Sequence, residues 1–226
     1  MRQGRMITLE APDGAAIGCY SVTAQAPRRG GLVLVMEIFG VTDHIKELCD
    51  GYAAEGFDVL SPALYDRMER DFEATYSPED IARSMKLRDG LKMETAIGDV
   101  QMCIDALKRR GAAPVFATGY CYGGSVVWVA ACRCDGLAAV SSYYGRFVVD
   151  HVGETPKCPV VLHFGRNDKS IPMEWVERIQ AAHPDVPVYV YEAGHGFNSD
   201  RRTDYDATCA RLARERTLAL FHDQHR

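Results

Sequence analysis

The chain has 226 residues, of which 47% are hydrophobic and 25% charged, and its formal net charge at pH 7 is −5. This length and composition fit one large α/β domain, residues 1–226, with a sizeable core. The negative charge argues against a nucleic-acid partner, and no apolar run is long enough to span a membrane. The N-terminus lacks the apolar stretch of a secretory signal, so we expect a cytoplasmic protein.

The eight cysteines are scattered through the chain rather than clustered. No Cys-x-x-Cys pair occurs, and neither the cysteines nor the histidines show the spacing of a zinc site. We therefore expect mostly buried, reduced cysteines, and we expect neither a metal nor an organic cofactor.

Apolar runs of strand length alternate with segments of helical periodicity. The predicted strands cover residues 6–10, 16–22, 32–36, 57–62, 114–117, 137–145, 159–165 and 186–191. The predicted helices cover 44–55, 78–110 with a break near 89–90, 126–131, 173–183 and 204–222. Asp43 and Ser77 are predicted N-caps. The first two strands form an edge hairpin, and the alternation that follows predicts a mostly parallel sheet with helices on both faces.

Residues 117–124 read Ala-Thr-Gly-Tyr-Cys-Tyr-Gly-Gly and lie between a predicted strand and a predicted helix. This is the context in which a Gly-x-nucleophile-x-Gly elbow forms, with Gly119 and Gly123 as the small neighbours that a strained turn requires. The central residue is Cys121, whose thiolate would be stabilised by the N-terminus of the following helix. The alternative is a buried structural cysteine between turn glycines.

Asp168 and His195 lie in two later post-strand loops. With Cys121 they give the order nucleophile, acid, histidine, which is the order found in α/β-hydrolases. His195 would take the thiol proton and later protonate the leaving group, while Asp168 would orient the imidazole. Taken singly, Asp168 fits a turn residue and His195 a surface histidine.

Glu37 directly follows a buried strand, at the sheet edge where open α/β sheets bind ligands. We predict a role in the site, the alternative being a solvated loop or capping residue. The backbone N–H groups of Ile38 and Tyr122 are the predicted oxyanion hole.

The sequence leaves the roles of two further sets of residues open. Arg83, Lys86, Arg88 and Lys92 form a solvated face or include side chains directed into the site. Tyr144, at the end of a predicted strand, lines a pocket or packs in the core.

These motifs resemble the dienelactone hydrolases (carboxymethylenebutenolidases) over almost the whole chain. The resemblance rests on Glu-Ile-Phe-Gly at 37–40, the cysteine elbow at 119–124, Tyr-Tyr-Gly at 143–145, the Asp168 loop and Ala-Gly-His-Gly-Phe at 193–197. It implies an α/β-hydrolase fold without a large cap domain and a Cys121–His195–Asp168 triad. It also implies hydrolysis of dienelactone to maleylacetate in bacterial breakdown of chlorinated aromatic compounds. Glu37 matches the family glutamate that pairs with the resting thiol and helps form the thiolate.

One departure concerns the substrate. The resemblance places the two carboxylate-binding arginines of well-known members at Ile81 and Ser199, and neither residue is basic. Arg83, Arg201 and Arg202 lie nearby in sequence and are the candidate replacements, and Phe39 and Tyr144 complete the predicted substrate-binding set.

The leading hypothesis is therefore a monomeric cysteine hydrolase that opens a small lactone through an acyl-enzyme. A broader carboxylesterase or thioesterase for neutral substrates is the second hypothesis, favoured by the missing arginines. A slow ligand-binding or redox-sensing protein with Cys121 as its contact is the third.

Overall fold

A computed structural model of the chain describes residues 3–224. The strands are β1 Arg5–Glu10, β2 Ala16–Val22, β3 Gly30–Val35, β4 Phe57–Pro62, β5 Val115–Tyr120, β6 Leu137–Tyr143, β7 Val160–Gly165 and β8 Val188–Tyr191. The helices are α1 Asp43–Ala54, α2 Pro78–Gly90, α3 Met93–Arg109, α4 Tyr122–Arg133, α5 Met173–Ala182 and α6 Ala207–Asp223, and a 3-10 helix covers Arg146–His151.

The strands form one open eight-stranded sheet in the order β1-β2-β4-β3-β5-β6-β7-β8. Strand β2 pairs antiparallel with β1 and with β4. The other neighbours pair in parallel. The predicted α/β-hydrolase sheet, mostly parallel with an antiparallel hairpin at one edge, is confirmed.

Helices cover both faces of the sheet, which explains the continuous apolar runs of the central strands. All six residues of β3, β4, β5 and β7 are buried. Successive residues of a strand point to opposite faces. The hydroxyl of Ser141 on β6 contacts Thr217 of α6, whereas that of Ser142 donates to the Gly124 carbonyl of α4. Helices α4 and α6 therefore lie on opposite faces.

Some predicted element boundaries differ from those in the structure. Helix α1 begins at Asp43, and its N-cap is Thr42, so Asp43 contributes negative charge to the first turn rather than a cap. The last helix starts at Ala207 because Asp206 caps it by accepting from the Cys209 N–H. The Ser77 cap is confirmed, since its hydroxyl accepts from the Asp80 N–H.

All eight cysteines are free, and most are buried, as expected. Among residues 3–224, no helix combines the length and the hydropathy needed to cross a bilayer. The parallel strands end at one edge of the sheet, where the loops after β3, β5, β7 and β8 bring together the residues described next.

Candidate active site

Cys121 occupies a strained turn between β5 and α4. Its backbone has φ 57° and ψ −115°, a conformation that few residues other than glycine adopt. A Cβ atom on Gly119 would lie 2.1 Å from the Gly123 carbonyl oxygen, and one on Gly123 would lie 2.3 Å from that of Val35. Both glycines are thus required by close backbone approach, and the thiol is presented at the first turn of a helix.

His195 connects the thiol to a buried carboxylate. Its Nε2 lies 3.2 Å from the Cys121 Sγ, and its Nδ1 lies 2.7 Å from the Asp168 Oδ2. The other carboxylate oxygen, Oδ1 of Asp168, accepts from the Ser170 N–H at 2.7 Å. The three residues predicted from sequence therefore form a continuous chain of hydrogen bonds across the loops after β5, β7 and β8.

The surroundings of His195 favour its protonated form. Burial by itself would lower the pKa of His195, but the charge of the Cys121 thiolate and the hydrogen bond to Asp168 outweigh it and raise the pKa to about 10. An imidazolium beside a thiolate is the pairing that activates cysteine nucleophiles.

Glu37 is buried two residues after the end of β3, with only 1% of its surface exposed. Its Oε2 accepts from the Tyr76 hydroxyl at 3.1 Å, and its Oε1 lies 3.9 Å from the Arg202 Nη1. Within the described part of the chain, that Oε1 has no hydrogen-bond donor. The resemblance implied a resting pair between Glu37 and the thiol, whereas the structure pairs the thiol with His195.

The backbone N–H groups of Ile38 and Tyr122 fit the predicted oxyanion hole. Both residues line the cleft that contains Cys121 and His195. Neither N–H donates to a backbone carbonyl within residues 3–224. Backbone N–H groups that have no such partner and lie beside a nucleophile can stabilise a developing negative oxygen.

The cleft around the thiol has a volume of about 320 Å³. Its lining residues are Ile38, Phe39, Ile81, Met85, Arg88, Cys121, Tyr122, Arg146, Phe147, Ser170, His195 and Arg202. The size suits a small molecule, and the aromatic and aliphatic walls suit an apolar body with few polar groups.

The predicted substrate-binding residues occupy three different places in the structure. Phe39 and Arg202 line the cleft. Tyr144 is fully buried behind it, with its ring centroid 5.1 Å from that of His195. Arg83 and Arg201 lie outside: Arg83 pairs with Glu69, and Arg201 pairs with Glu47 and Asp200.

The model of the dienelactone hydrolase family matches residues 17–225. The chain belongs to the dienelactone hydrolase family. Membership makes it a hydrolase of the ester or lactone type, in agreement with the sequence-based prediction.

Curated relatives and a solved structure agree with this family assignment. A Salmonella typhimurium protein provisionally named carboxymethylenebutenolidase is 33% identical over 211 residues, covering 84% of this chain and 76% of that protein. A Synechocystis protein with the same provisional name is 29% identical, with 92% and 88% covered. The crystal structure of a provisionally named dienelactone hydrolase from Klebsiella pneumoniae subsp. pneumoniae has a TM-score of 0.85, 28% identity and 97% and 98% coverage.

Three site residues of this family member were not singled out from its sequence. Arg146 and Phe147 follow Tyr-Tyr-Gly at 143–145, whose first residue ends β6, and they belong to a short 3-10 helix without a recognisable motif. Tyr76 lies in the polar, irregular segment 66–78, which the sequence predicts as a rim over the site without indicating Tyr76 itself. Arg88 was part of a basic stretch whose roles were left open, because sequence spacing alone does not show which face of α2 meets the cleft.

Proposed function

We propose that this protein hydrolyses a small lactone or ester by a cysteine-dependent acyl-enzyme mechanism, in which Cys121, His195 and Asp168 form the triad. The observation that carries the proposal is the unbroken chain of contacts from Sγ to Nε2 at 3.2 Å and from Nδ1 to the carboxylate at 2.7 Å. Binding alone does not require an acid and a histidine to be aligned behind a thiol at a strained elbow.

In the first half-reaction the thiol proton passes to His195 Nε2, and the thiolate attacks the substrate carbonyl carbon. The carbonyl oxygen becomes negative and is held by the Ile38 and Tyr122 N–H groups. The tetrahedral intermediate then collapses, the bond from the carbonyl carbon to the ester oxygen breaks, and the imidazolium donates its proton to that oxygen. In a lactone the released oxygen stays on the same molecule, so ring opening leaves one acyl chain on Cys121.

In the second half-reaction a water molecule attacks the thioester carbonyl while His195 takes one of its protons. Collapse of the second tetrahedral intermediate breaks the carbon–sulfur bond and returns a proton to sulfur. The sum is one lactone or ester plus one water, giving a carboxylic acid and a hydroxyl group, with the enzyme regenerated. Asp168 holds the imidazole in the tautomer and orientation that both halves need.

Glu37 is the proposed fourth catalytic residue. Glu37 is buried beside the cleft, and its Oε1 accepts no hydrogen bond from the described residues. This oxygen is therefore able to accept a proton when the thiol rotates away from His195. Tyr76 and Arg202 fix the position of the carboxylate and offset the cost of burying its charge. Thiolate formation would then involve two acceptors, His195 and Glu37.

The family name and the provisional names of the relatives support a lactone of the dienelactone type as substrate. A neutral carboxylic ester is the second candidate, because Ile81 presents an apolar wall and Ser199 is completely buried. We further propose a single cytoplasmic domain acting as a monomer on a small molecule.

The test is turnover by wild type and Cys121→Ala with a dienelactone and with 4-nitrophenyl butyrate. We expect Cys121→Ala to lose nearly all hydrolysis of both substrates while its circular dichroism is unchanged. Cys158→Ala is the matched control, since Cys158 is also partly accessible but lines a different groove, to which neither Cys121 nor His195 belongs. Substantial turnover by Cys121→Ala would refute the nucleophile assignment.

A further inference from the structure

Two arginines lie close to one aromatic ring, that of Phe147, on a wall of the cleft. The guanidinium carbons of Arg88 and Arg146 lie 5.4 Å and 5.2 Å from the ring centroid of Phe147. Arg146 also lies 5.4 Å from the ring of Trp175. Separations of this size allow cation–π attraction, which holds a guanidinium in place without neutralising its charge.

The charges on this wall are incompletely paired. The carboxylate partner of Arg88 is its own neighbour Asp89, whose side chain is 64% exposed. Arg146 has no carboxylate partner within residues 3–224. By contrast, Arg202 on the other wall faces the buried carboxylate of Glu37 at 3.9 Å. Positive charge is thus more available at Arg88 and Arg146, beside Phe147, than at Arg202.

The part of the cleft wall that contains Phe147 has a fixed position relative to Cys121. Tyr122 follows Cys121 directly, and its ring centroid lies 6.4 Å from that of Phe147. The Phe147 N–H donates to the Ser125 hydroxyl in the first turn of α4 at 3.0 Å. An anion bound by Arg88 and Arg146 would therefore be held in a defined position beside the thiol.

We propose that Arg88 and Arg146 bind a carboxylate of the substrate on the Tyr122 side of Cys121. The inference rests on the proposed hydrolytic function and specifies which substrates the enzyme prefers. The cleft lining contains three arginines, and within the described part of the chain no carboxylate side chain belongs to it. A cleft of one sign concentrates ligands of the opposite sign, and guanidinium groups match carboxylates in shape. The preferred substrate is an ester or lactone that carries an anionic group.

The test compares mono-4-nitrophenyl succinate with its methyl ester, which has nearly the same shape but no charge. We expect Arg146→Gln and Arg88→Gln each to lower kcat/KM for the anionic ester about tenfold and to change that for the neutral ester less than about twofold. Arg146→Lys should recover part of the loss because it keeps the charge. The anion preference of wild type should also fall as salt is added.

Arg83→Gln is the matched control on the same helix. Arg83 pairs with Glu69 and is absent from the cleft lining, so its removal should alter neither rate. Equal losses for both esters in Arg88→Gln and Arg146→Gln, or no loss in either, would overturn the proposal.

A second readout does not depend on turnover. Iodoacetate and iodoacetamide alkylate the same thiol, but only the former is an anion. The rates of alkylation at Cys121 are measured by mass spectrometry of the peptide that contains it. We expect Arg88→Gln and Arg146→Gln to lower the ratio of the iodoacetate rate to the iodoacetamide rate about fivefold. If wild type turned over neither ester but this ratio fell, the anion site would stand while the hydrolytic function failed. If turnover depended on Cys121 but the ratio stayed constant, the hydrolytic function would stand and the anion site would be refuted.

Discussion

His163 is expected to destabilise the protein as the pH falls below neutral. It is completely buried on β7, with Nδ1 2.8 Å from the Tyr191 hydroxyl and Nε2 3.2 Å from that of Thr217. Burial lowers its pKa from 6.5 to about 3, and the positive charge of Arg216 adds to this effect. The folded protein therefore keeps this imidazole neutral at pH values where the unfolded chain would protonate it.

The sign and size of the effect follow from this difference in pKa. Between pH 6.5 and pH 3 the unfolded state binds more protons than the folded state, so the free energy of unfolding falls as the pH falls. For one such group the loss between pH 8 and pH 5 is about 2 kcal/mol, with a slope approaching 1.4 kcal/mol per pH unit. For a domain of this size that corresponds to a decrease in Tm of about 4–8 °C.

The assay is urea denaturation from pH 8 to pH 5, followed by tryptophan fluorescence, for wild type and His163→Gln. The variant should be less stable at pH 8 because its polar contacts differ, but its stability should fall less steeply toward pH 5. The readout is the difference between the two slopes, in which the contributions of other titrating groups cancel. Parallel lines for the two proteins would refute the reasoning.

Three substitutions test the roles of residues in the candidate active site. Glu37→Gln should slow both hydrolysis and alkylation of the Cys121 thiol near neutral pH, and an unchanged alkylation rate would exclude this carboxylate from thiolate formation. Gly123→Ala should abolish activity and cost about 2 kcal/mol or more in urea denaturation, because the added carbon would lie 2.3 Å from the Val35 carbonyl oxygen. Asp168→Asn should lower kcat about a thousandfold or more with the fold intact, and a small effect would show that His195 is oriented by other contacts.

The residues that meet at the strand ends were predictable because their chemistry is tied to local sequence. A cysteine between two glycines, after an apolar run and before a helix, specifies an elbow, and the order Cys121, Asp168, His195 specifies the partners. The structure places all three within hydrogen-bonding distance. The mostly parallel sheet was also predictable, because strands alternate with helices along the chain and parallel strands need crossover connections.

Side-chain direction on α2 and the conformation of the segment after β6 were less predictable. Arg83 and Arg88 are five residues apart on one helix, yet only Arg88 reaches the cleft. Their different surroundings depend on the tertiary contacts of α2, which its own sequence does not specify. Arg146 and Phe147 lie in a single 3-10 helix that begins after Tyr144 adopts φ 39°, a backbone turn that no local pattern predicts.

Tyr76 has a consequence for anyone who would redesign this enzyme. Its hydroxyl lies 3.1 Å both from Glu37 Oε2 and from the Ser199 hydroxyl, and Ser199 has no exposed surface. An arginine introduced at position 199 would collide with this phenol, because the much shorter serine side chain already contacts it. Introducing a basic residue there is therefore at least a two-site change, Ser199→Arg with Tyr76→Ala.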